Sequence, residues 1–268
     1  MKKRNWYLNF GIGLTALMVL YIVVGFFWTP HDPGKLSSAD RLAAPSLSHL
    51  FGCDQLGRDV LSRTLDGAGT TLTIAFCVLV IGFVAGMLIG ALCGYYGGAV
   101  DAAVMRVCDA IAAFPSILLA LVVIAVIGSG KYKVILALGL LFIPSFARLV
   151  RGEFIKYRDR DFVRAARLAG VSDFRIIFVH ILPNIWPVLL SGLTIGFNNA
   201  VLAEASMSYL GIGVGPGEAS LGRMLSEAQS ILFSAPWCTL FPALVVILLI
   251  LGVGMVGEGI RERMGDDR

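Results

Sequence analysis

The stretch TLTIAFCVLVIGFVAGMLIGALCGYY, residues 71–96, has no charged side chain and lies within an uncharged region that runs from Gly67 to Val100. A helix needs about 20 apolar residues to cross the hydrocarbon core of a bilayer, so this stretch is long enough to do so. The whole chain has the same bias, because 57% of its 268 residues are hydrophobic and 15% are charged. A soluble domain is about one quarter charged. The composition therefore predicts an integral membrane protein.

Six apolar stretches are candidates for membrane-spanning helices. They cover about residues 7–28, 71–96, 110–127, 134–150, 185–202 and 237–256. The fourth is the weakest, because Lys133 and Arg148 must extend from its ends toward the interface. We expect an all-α integral membrane protein with six transmembrane helices and a cytoplasmic helix between the fourth and fifth. We divide it into an N-terminal span with an external segment (1–70) and a core of five spans (71–268).

The basic residues indicate the orientation of the chain. Lys and Arg concentrate in the segments on the same side as the N-terminus, notably Lys2, Lys3 and Arg4 and the run of arginines between the fourth and fifth spans. Cytoplasmic segments of membrane proteins carry such an excess. We therefore expect both termini in the cytoplasm and residues 29–70 and 206–235 outside.

Four glycines recur at every fourth position of the second span. They are Gly82, Gly86, Gly90 and Gly94. Residues at this spacing lie on one face of a helix, and glycines there allow a second helix to approach closely. The pattern predicts a helix-packing face and carries no information about a substrate.

The segment DFVRAARLAGVSDFRIIFVHILPN, residues 161–184, is charged and amphipathic, unlike the spans around it. Asp161 suits the N-cap of a first helix, and Gly170 suits its C-cap. One face of that helix carries mainly small side chains, at Phe162, Ala165, Ala166 and Ala169. A membrane-surface helix would carry larger apolar groups there. The pattern therefore favours docking against another protein.

A second helix is expected to follow directly. Ser172 or Asp173 is the candidate N-cap, and apolar residues follow through Ile181. Proline lacks an amide hydrogen and disrupts helices, so Pro183 is predicted to break or bend the chain before the fifth span.

Few intramembrane polar residues are candidates for function. Arg106 and Asp109 are three residues apart and are expected to pair on one helix face. Glu204 lies near the outer end of the fifth span. For all three, we favour helix-end anchoring and inter-span hydrogen bonding over contact with a substrate.

Metal and nucleotide sites are not expected in this chain. The five cysteines form no CxxC pair, and the three histidines are far apart in sequence. The nearest approach to a phosphate-binding loop is GSGKY at 128–132, which lacks the first glycine and the Ser or Thr after the lysine. The sequence therefore predicts no nucleotide-binding loop in this chain.

The chain resembles the inner-membrane permeases of binding-protein-dependent ABC importers. That family shares a cytoplasmic motif of Glu-Ala-Ala, three residues, Gly and later Leu-Pro. Here Ala165, Ala166, Gly170, Leu182 and Pro183 stand at that spacing, and Arg164 replaces the usual Glu. FGCDQLGRDVLSR (51–63), YYGGAVDAAVMRVCDAIAAFPSILLAL (95–121), ARLVRGE (147–153) and EASMSYLGIGVGPGEASLGRMLSEAQ (204–229) resemble the C-type subunit of dipeptide, oligopeptide and nickel importers.

The resemblance implies a non-enzymatic permease subunit of the inner membrane. It would pair with a second permease, two ATP-binding subunits and an extracytoplasmic binding protein. The 161–184 segment would be a coupling helix that contacts an ATPase. Its contact residues would be Arg164, Ala165, Ala166, Arg167, Gly170, Leu182 and Pro183. Asp54, Arg58 and Asp59 would face the binding protein or the second permease.

The resemblance leaves the substrate open between peptides and nickel or a metal chelate, with peptides favoured. Two other classes of protein remain as alternatives. A stand-alone secondary transporter would need coupling carboxylates near the bilayer midplane, and the spans contain almost no acids. A membrane-anchored scaffold would use the 161–184 segment only for docking.

Overall fold

The computed structural model describes residues 6–215 and 217–265, which form helices joined by turns and one long irregular segment. The helices are α1 (Trp6–Phe27), α2 (Val60–Tyr96), α3 (Gly98–Ala112), α4 (Ser116–Ile127), α5 (Lys131–Tyr157), α6 (Asp161–Leu168), α7 (Asp173–Arg175), α8 (Leu182–Tyr209), α9 (Leu221–Ala228) and α10 (Trp237–Gly265), with a π-helical turn at Ile176–Ile181 and a 3-10 turn at Gln229–Ile231. The one β-type pairing in these ranges is an isolated bridge between Cys53 and Asp59. The expected all-α class is confirmed.

Five helical stretches are long and apolar enough to cross a bilayer. They are Trp6–Phe27, Val60–Tyr96, Lys131–Tyr157, Asp173–Tyr209 and Trp237–Arg263. Each overlaps a span predicted from the sequence. Because α2 begins at Val60, the predicted division at residue 70 falls inside a continuous helix, and that division stays a prediction. Lys2, Lys3, Arg4 and Arg268, which contribute to the predicted orientation, lie outside the described residues.

The third predicted span is formed by two helices with a sharp bend between them, which the sequence analysis did not predict. α3 ends at Ala112 and α4 begins at Ser116, with their axes bent by 89°. Pro115 explains the break, because it has no amide hydrogen and its ring disfavours the helical conformation at Phe114. The pair amounts to a sixth crossing only when the two bent helices are taken together.

The glycine face of α2 packs against α5. Gly82 meets Phe142, Gly86 meets Phe146, Gly90 meets Ala147 and Gly94 meets Phe154. A β-carbon at Gly86 would lie 2.6 Å from the Phe146 Cβ, and one at Gly90 would lie 2.4 Å from the Ala147 carbonyl oxygen. Because these distances are shorter than any van der Waals contact, only a hydrogen atom fits at these positions. The α2–α5 pair is therefore the tightly packed centre of the bundle.

The remaining long helices surround this pair. α1 packs along α10, with close approaches at Gly11 against Met255 and at Gly259 against Leu8. α8 packs against α2, α5 and α10. The two ends of α2 then carry the polar features of the protein. The irregular segment 28–59 and α9 lie at its N-terminal end, and α6 and α7 lie at its C-terminal end.

Candidate functional site

The α6–α7 segment (residues 161–184) begins with a short, well-terminated helix. The N-cap position is Arg160, so Asp161, the predicted cap, is instead the first helical residue. Gly170 has a φ of +77°, the left-handed conformation that favours glycine. Its amide donates to the Arg167 carbonyl at 3.0 Å, and the Val171 amide donates to the Ala166 carbonyl at 3.1 Å. These two bonds define a Schellman C-cap.

The outer face of α6 is left uncovered by the rest of the chain. Phe162, Ala165 and Ala169 are exposed and Ala166 is half-buried, whereas Val163 points inward and is fully buried. Leu168 and Phe174 flank this surface with 90% and 72% of their area exposed. Arg164 is exposed on the same helix. Small side chains between two exposed apolar groups form a surface that suits close docking of another protein.

The predicted break at Pro183 does not occur. Residues Asp173–Tyr209 follow one helical path, so α7, the π-helical turn and α8 are continuous. In the turn, the Leu182 amide donates to the carbonyl of Ile177, five residues back. This local widening accommodates a proline that has no amide hydrogen to donate. Leu182 is half-buried and Pro183 is exposed.

Tyr95, at the C-terminal end of α2, anchors the α6–α7 segment. Its hydroxyl donates to Asp173 Oδ1 at 2.6 Å, and Arg167 Nε donates to the same hydroxyl oxygen at 3.3 Å. The Arg167 guanidinium carbon lies 5.0 Å from the centre of the Tyr95 ring, within the range of a cation–π contact. Sequence reasoning assigned Arg167 to a partner and missed Tyr95, since nothing local links positions 95 and 173.

A buried apolar cluster reinforces this anchor. It contains Ala91, Tyr95, Val150, Phe154, Val163, Ile176, Ile177, Ile181, Ile185 and Leu189. The cluster joins the α6–α7 segment to the ends of α2, α5 and α8. Because packed interiors have low compressibility, this cluster connects α6 rigidly to the ends of three spans.

A cavity of about 610 Å³ lies between α4, α5 and α8. Its polar lining groups are Ser116, Ser145, Asn199 and Ser206, and its other walls are apolar, with Phe142, Phe146 and Met207 among them. None of the described residues that line it is charged. The volume is within the range of small-molecule binding sites. The cavity could not be found from the sequence, because its walls come from three separate helices.

The candidates Asp54 and Arg58 lie in an ion-pair network between the irregular segment and α9. Asp54 Oδ2 accepts from Arg58 Nε and Arg63 Nη1, each at 2.7 Å. Glu227 Oε2 lies 2.7 Å from Arg58 Nη2 and 3.1 Å from Arg63 Nη2. Arg223 Nε donates to Glu227 Oε1 at 3.0 Å. We call these five residues the external clasp.

The electrostatics of the clasp hold its acids in the charged form. Burial alone would raise the pKa of Asp54, but hydrogen bonds from the Arg58 and Leu56 amides and the nearby arginine charges outweigh it, so the pKa is lowered. Burial would likewise raise the pKa of Glu227, and the charges of Arg63 and Arg58 lower it overall. Burial and the negative charge of Asp59 raise the pKa of the neighbouring Cys53 thiol to about 11.

Asp59, the third external candidate, is buried at the start of α2. Its Oδ2 accepts from the amide and hydroxyl of Ser62, both at 2.7 Å, so that it caps the helix. Its Oδ1 lies 2.9 Å from His49 Nδ1 and 3.8 Å from His31 Nδ1. Two of the three histidines that are distant in sequence therefore meet at this carboxylate.

The expected Arg106–Asp109 pair is replaced by contacts between helices. Asp109 pairs with Arg148 of α5 at 3.5 Å, and both side chains are exposed. Asp101 accepts two hydrogen bonds from Arg151 of α5, at 2.5 and 2.6 Å. α5 runs beside α3 and brings its arginines to the acids, which the spacing within α3 alone did not reveal. Arg106 is exposed.

Glu204 lies inside the bundle and is not among the residues that line the cavity. It is fully buried, and its Oε1 accepts from the Ser208 hydroxyl at 2.7 Å. Thr71 of α2 and Ser220 at the start of α9 are its other polar neighbours. This position favours the structural interpretation over contact with a substrate.

Apolar helices long enough to cross a bilayer, packed around a cavity, define a multi-span membrane protein. Residues 86–265 match the family model described as "Binding-protein-dependent transport system inner membrane component". The chain belongs to this family and is a permease subunit of an ABC importer, located in the inner membrane. The resemblance found in its motifs is thereby confirmed.

Curated relatives cover nearly the whole chain. It is 34% identical to the dipeptide transport system permease protein DppC of Alkalihalophilus pseudofirmus, over 98% of this chain and 86% of that protein. It is 40% identical to a putative peptide transport system permease protein of Brucella suis, over 98% of this chain and 88% of that protein. It is 41% identical to the glutathione transport system permease protein GsiD of Escherichia coli, over 94% of this chain and 86% of that protein.

A solved structure supports the fold independently. A chain of the inward-facing MetNI methionine ABC transporter superposes with a TM-score of 0.63 and 20% identity, covering 75% of this chain and 95% of that one. At this identity, the likeness bears on the fold alone.

Proposed function

We propose that this chain forms half of a translocation pathway with a second permease and couples it to two cytoplasmic ATP-binding subunits. A binding protein delivers the substrate from outside, and both termini lie in the cytoplasm. The observation that carries the proposal is that the two faces of α6 differ in burial. Its outer face is uncovered, and its inner face is locked into a cluster shared with α2, α5 and α8.

The coupling step follows from this arrangement. An ATPase contacts the face at Arg164, Ala165 and Ala166, and Gly170 ends the helix so that this face keeps its orientation. Arg167 and Leu182 hold the segment to the bundle from inside. When the ATPases close around ATP, they displace α6, and the shared cluster moves the ends of three spans together. An assembly with two stable arrangements is biased in this way by ATP.

The end of the molecule formed by the irregular segment and α9 is proposed to face the binding protein or the second permease. The side chains of Asp54, Arg58 and Asp59 bond to other residues of this chain. They therefore fix the shape of this surface more than they contact a partner. Leu47 and Phe233 are almost fully exposed at this end and supply contact area. A permanent partner needs a fixed surface, which favours the second permease at this position.

Small peptides are the proposed substrates. The names of the dipeptide, peptide and glutathione permeases above support this assignment. The cavity also supports it, because its hydroxyl and amide groups suit weak hydrogen bonding to peptide groups. The described lining residues include no His, Cys, Asp or Glu, the side chains that bind nickel most readily. Nickel or metal-chelate import by the same architecture is the second candidate, supported by the motif resemblance.

The test begins with purification of the tagged chain from its own membranes in mild detergent. We expect a second permease and two ATP-binding chains to co-purify, and Ala165→Trp to release the ATPases while the permease pair remains. Gly13→Trp, at a position with nothing within 4 Å of an added β-carbon, is the control. Recovery of the chain alone would contradict the proposal and favour a stand-alone transporter.

The substrate is tested on the recovered complex in vesicles with its binding protein. Uptake of a labelled dipeptide that depends on ATP supports the peptide assignment. ATP-dependent uptake of nickel without peptide uptake would replace it with the second candidate. Transport that requires this chain would also exclude a role as a mere scaffold.

A further inference from the structure

His31, His49 and Asp59 form a compact cluster at the N-terminal end of α2. One ligand atom from each residue lies within 4.8 Å of the other two. The two imidazole rings are 4.6 Å apart between centroids and tilted by 31°. The chain brings these residues together from three points, since His31 follows α1, His49 lies within the irregular segment and Asp59 caps α2.

The spacing suits one small divalent cation. Zinc binds imidazole nitrogen and carboxylate oxygen at about 2.0–2.2 Å, which places neighbouring ligand atoms of a tetrahedral site about 3.4 Å apart. The observed separations from Asp59 Oδ1 are 2.9 Å to His49 and 3.8 Å to His31. These values bracket the tetrahedral distance. The His31 side chain is 41% exposed, so it is free to make the small adjustment.

The surrounding hydrogen bonds orient the ligands. The Ser62 amide and hydroxyl both donate to Asp59 Oδ2, which leaves Oδ1 directed toward the histidines. The same Ser62 oxygen accepts from the His31 backbone amide at 3.0 Å. The His49 backbone amide donates to Ser46 Oγ at 3.2 Å. Such outer contacts are what hold ligands in place at protein metal sites.

We propose that His31, His49 and Asp59 form a binding site for a divalent transition-metal ion, of which zinc is the best match. The exposed side of His31 leaves a fourth position open to water or to a group from a partner. The bound ion pins the beginning and the middle of the irregular segment to the start of α2. It therefore acts on the external surface that the clasp also shapes, and it is separate from the cavity.

The difference between this site and a simple helix cap lies at His31. A helix cap needs only the Asp59 carboxylate, and the His49 ring can form its hydrogen bond to that carboxylate without a metal. His31 adds an imidazole nitrogen, a third ligand atom that the cap does not use. The decisive variant is therefore His31→Gln, because it removes a ligand and leaves the Asp59–Ser62 bonds and the His49 contact in place.

The test is isothermal titration of the purified, EDTA-treated and dialysed importer complex with zinc chloride. We expect one zinc ion per chain at this site. His31→Gln should weaken its binding by at least about tenfold, the lower end of the loss caused by disturbing an outer-shell partner. His180→Gln alters the remaining histidine, at the other end of the bundle, and should bind zinc as the wild type does.

A second measurement separates loss of the ligand from loss of the fold. The thermal midpoint of the wild type should rise on zinc addition, since an ion that binds only the folded state stabilises it. His31→Gln should match the wild type in EDTA and show a smaller rise than the wild type at the same zinc concentration. Equal zinc binding by wild type and His31→Gln, or a rise of equal size in both, would overturn the proposal.

Discussion

The Tyr95 hydroxyl at the end of α2 donates to Asp173 Oδ1 at 2.6 Å, across 78 positions of sequence. The same ring lies under the Arg167 guanidinium. One side chain of a membrane span thus holds both α6 and α7. The contact explains how a segment with an uncovered outer face stays in a defined position relative to the bundle.

Replacing Tyr95 with Phe should loosen this connection without removing the ring from the core. A hydrogen bond to a charged group contributes about 1.5–3 kcal/mol, so we expect faster amide exchange across residues 161–182. We also expect less substrate transported per ATP hydrolysed. Tyr132→Phe, at an exposed residue far from the segment, is the control. Unchanged exchange and coupling in Tyr95→Phe would contradict the anchoring role.

Gly170 should tolerate no β-branched residue, for reasons of backbone conformation alone. A β-carbon there meets nothing within 4 Å, but the φ of +77° costs an L-residue about 1–2 kcal/mol. Gly170→Val should therefore destabilise the end of α6 and uncouple ATP hydrolysis from transport, while the spans still insert. The readouts are membrane-fraction yield and the ratio of transport to hydrolysis.

A matched control for Gly170 exists in α5. Gly152 also has nothing within 4 Å of an added β-carbon, and its φ is not positive. Gly152→Ala should be neutral or stabilising by up to about 1 kcal/mol, because alanine favours helix more than glycine does. Normal uptake by Gly170→Val would refute the role of α6 in coupling.

The α2–α5 contact should be sensitive to a single methyl group. In Gly90→Ala the new carbon would lie 2.4 Å from the Ala147 carbonyl oxygen, and a backbone atom cannot rotate away. Overpacking of this kind costs about 1–3 kcal/mol. We expect a lower thermal midpoint in detergent for Gly90→Ala, whereas Gly13→Ala should not lower the midpoint because its position is open. Equal midpoints for both variants would show that the two helices separate easily.

The external clasp should stabilise the protein in a pH-dependent way. The pKa of Glu227 is lowered in the folded state, so its contribution is fully present above the unfolded value of about 4.3. It is lost as the pH falls through the lower folded value. Glu227→Gln should lower the thermal midpoint at pH 5–8, and its difference from the wild type should shrink below about pH 4.

The control for the clasp is Glu218→Gln, at an exposed acid just before α9. It should leave the midpoint unchanged across this range. A difference between wild type and Glu227→Gln that stays constant down to pH 3 would show that the charge of Glu227 is not the source of the stability.

Short-range patterns in the sequence determined the class of protein. The uncharged run at 71–96 is sufficient for a membrane helix, since span formation depends on composition along one continuous stretch. The left-handed conformation of Gly170 and the glycine face of α2 also follow from spacing within a single helix. Pro115 carried the signal for the break between α3 and α4, but the apolar run on both sides of it concealed that signal.

Only the tertiary structure decided which distant side chains meet. Arg58 and Glu227 pair across 169 positions, and Tyr95, the cavity walls and the His31–His49–Asp59 cluster likewise join separate elements. Such partners are set by how helices pack, and a side chain's own neighbours in the chain carry no record of that packing. The length and composition of continuous apolar stretches determine which segments can enter the membrane, whereas interhelical packing determines which distant side chains meet and where a cavity forms.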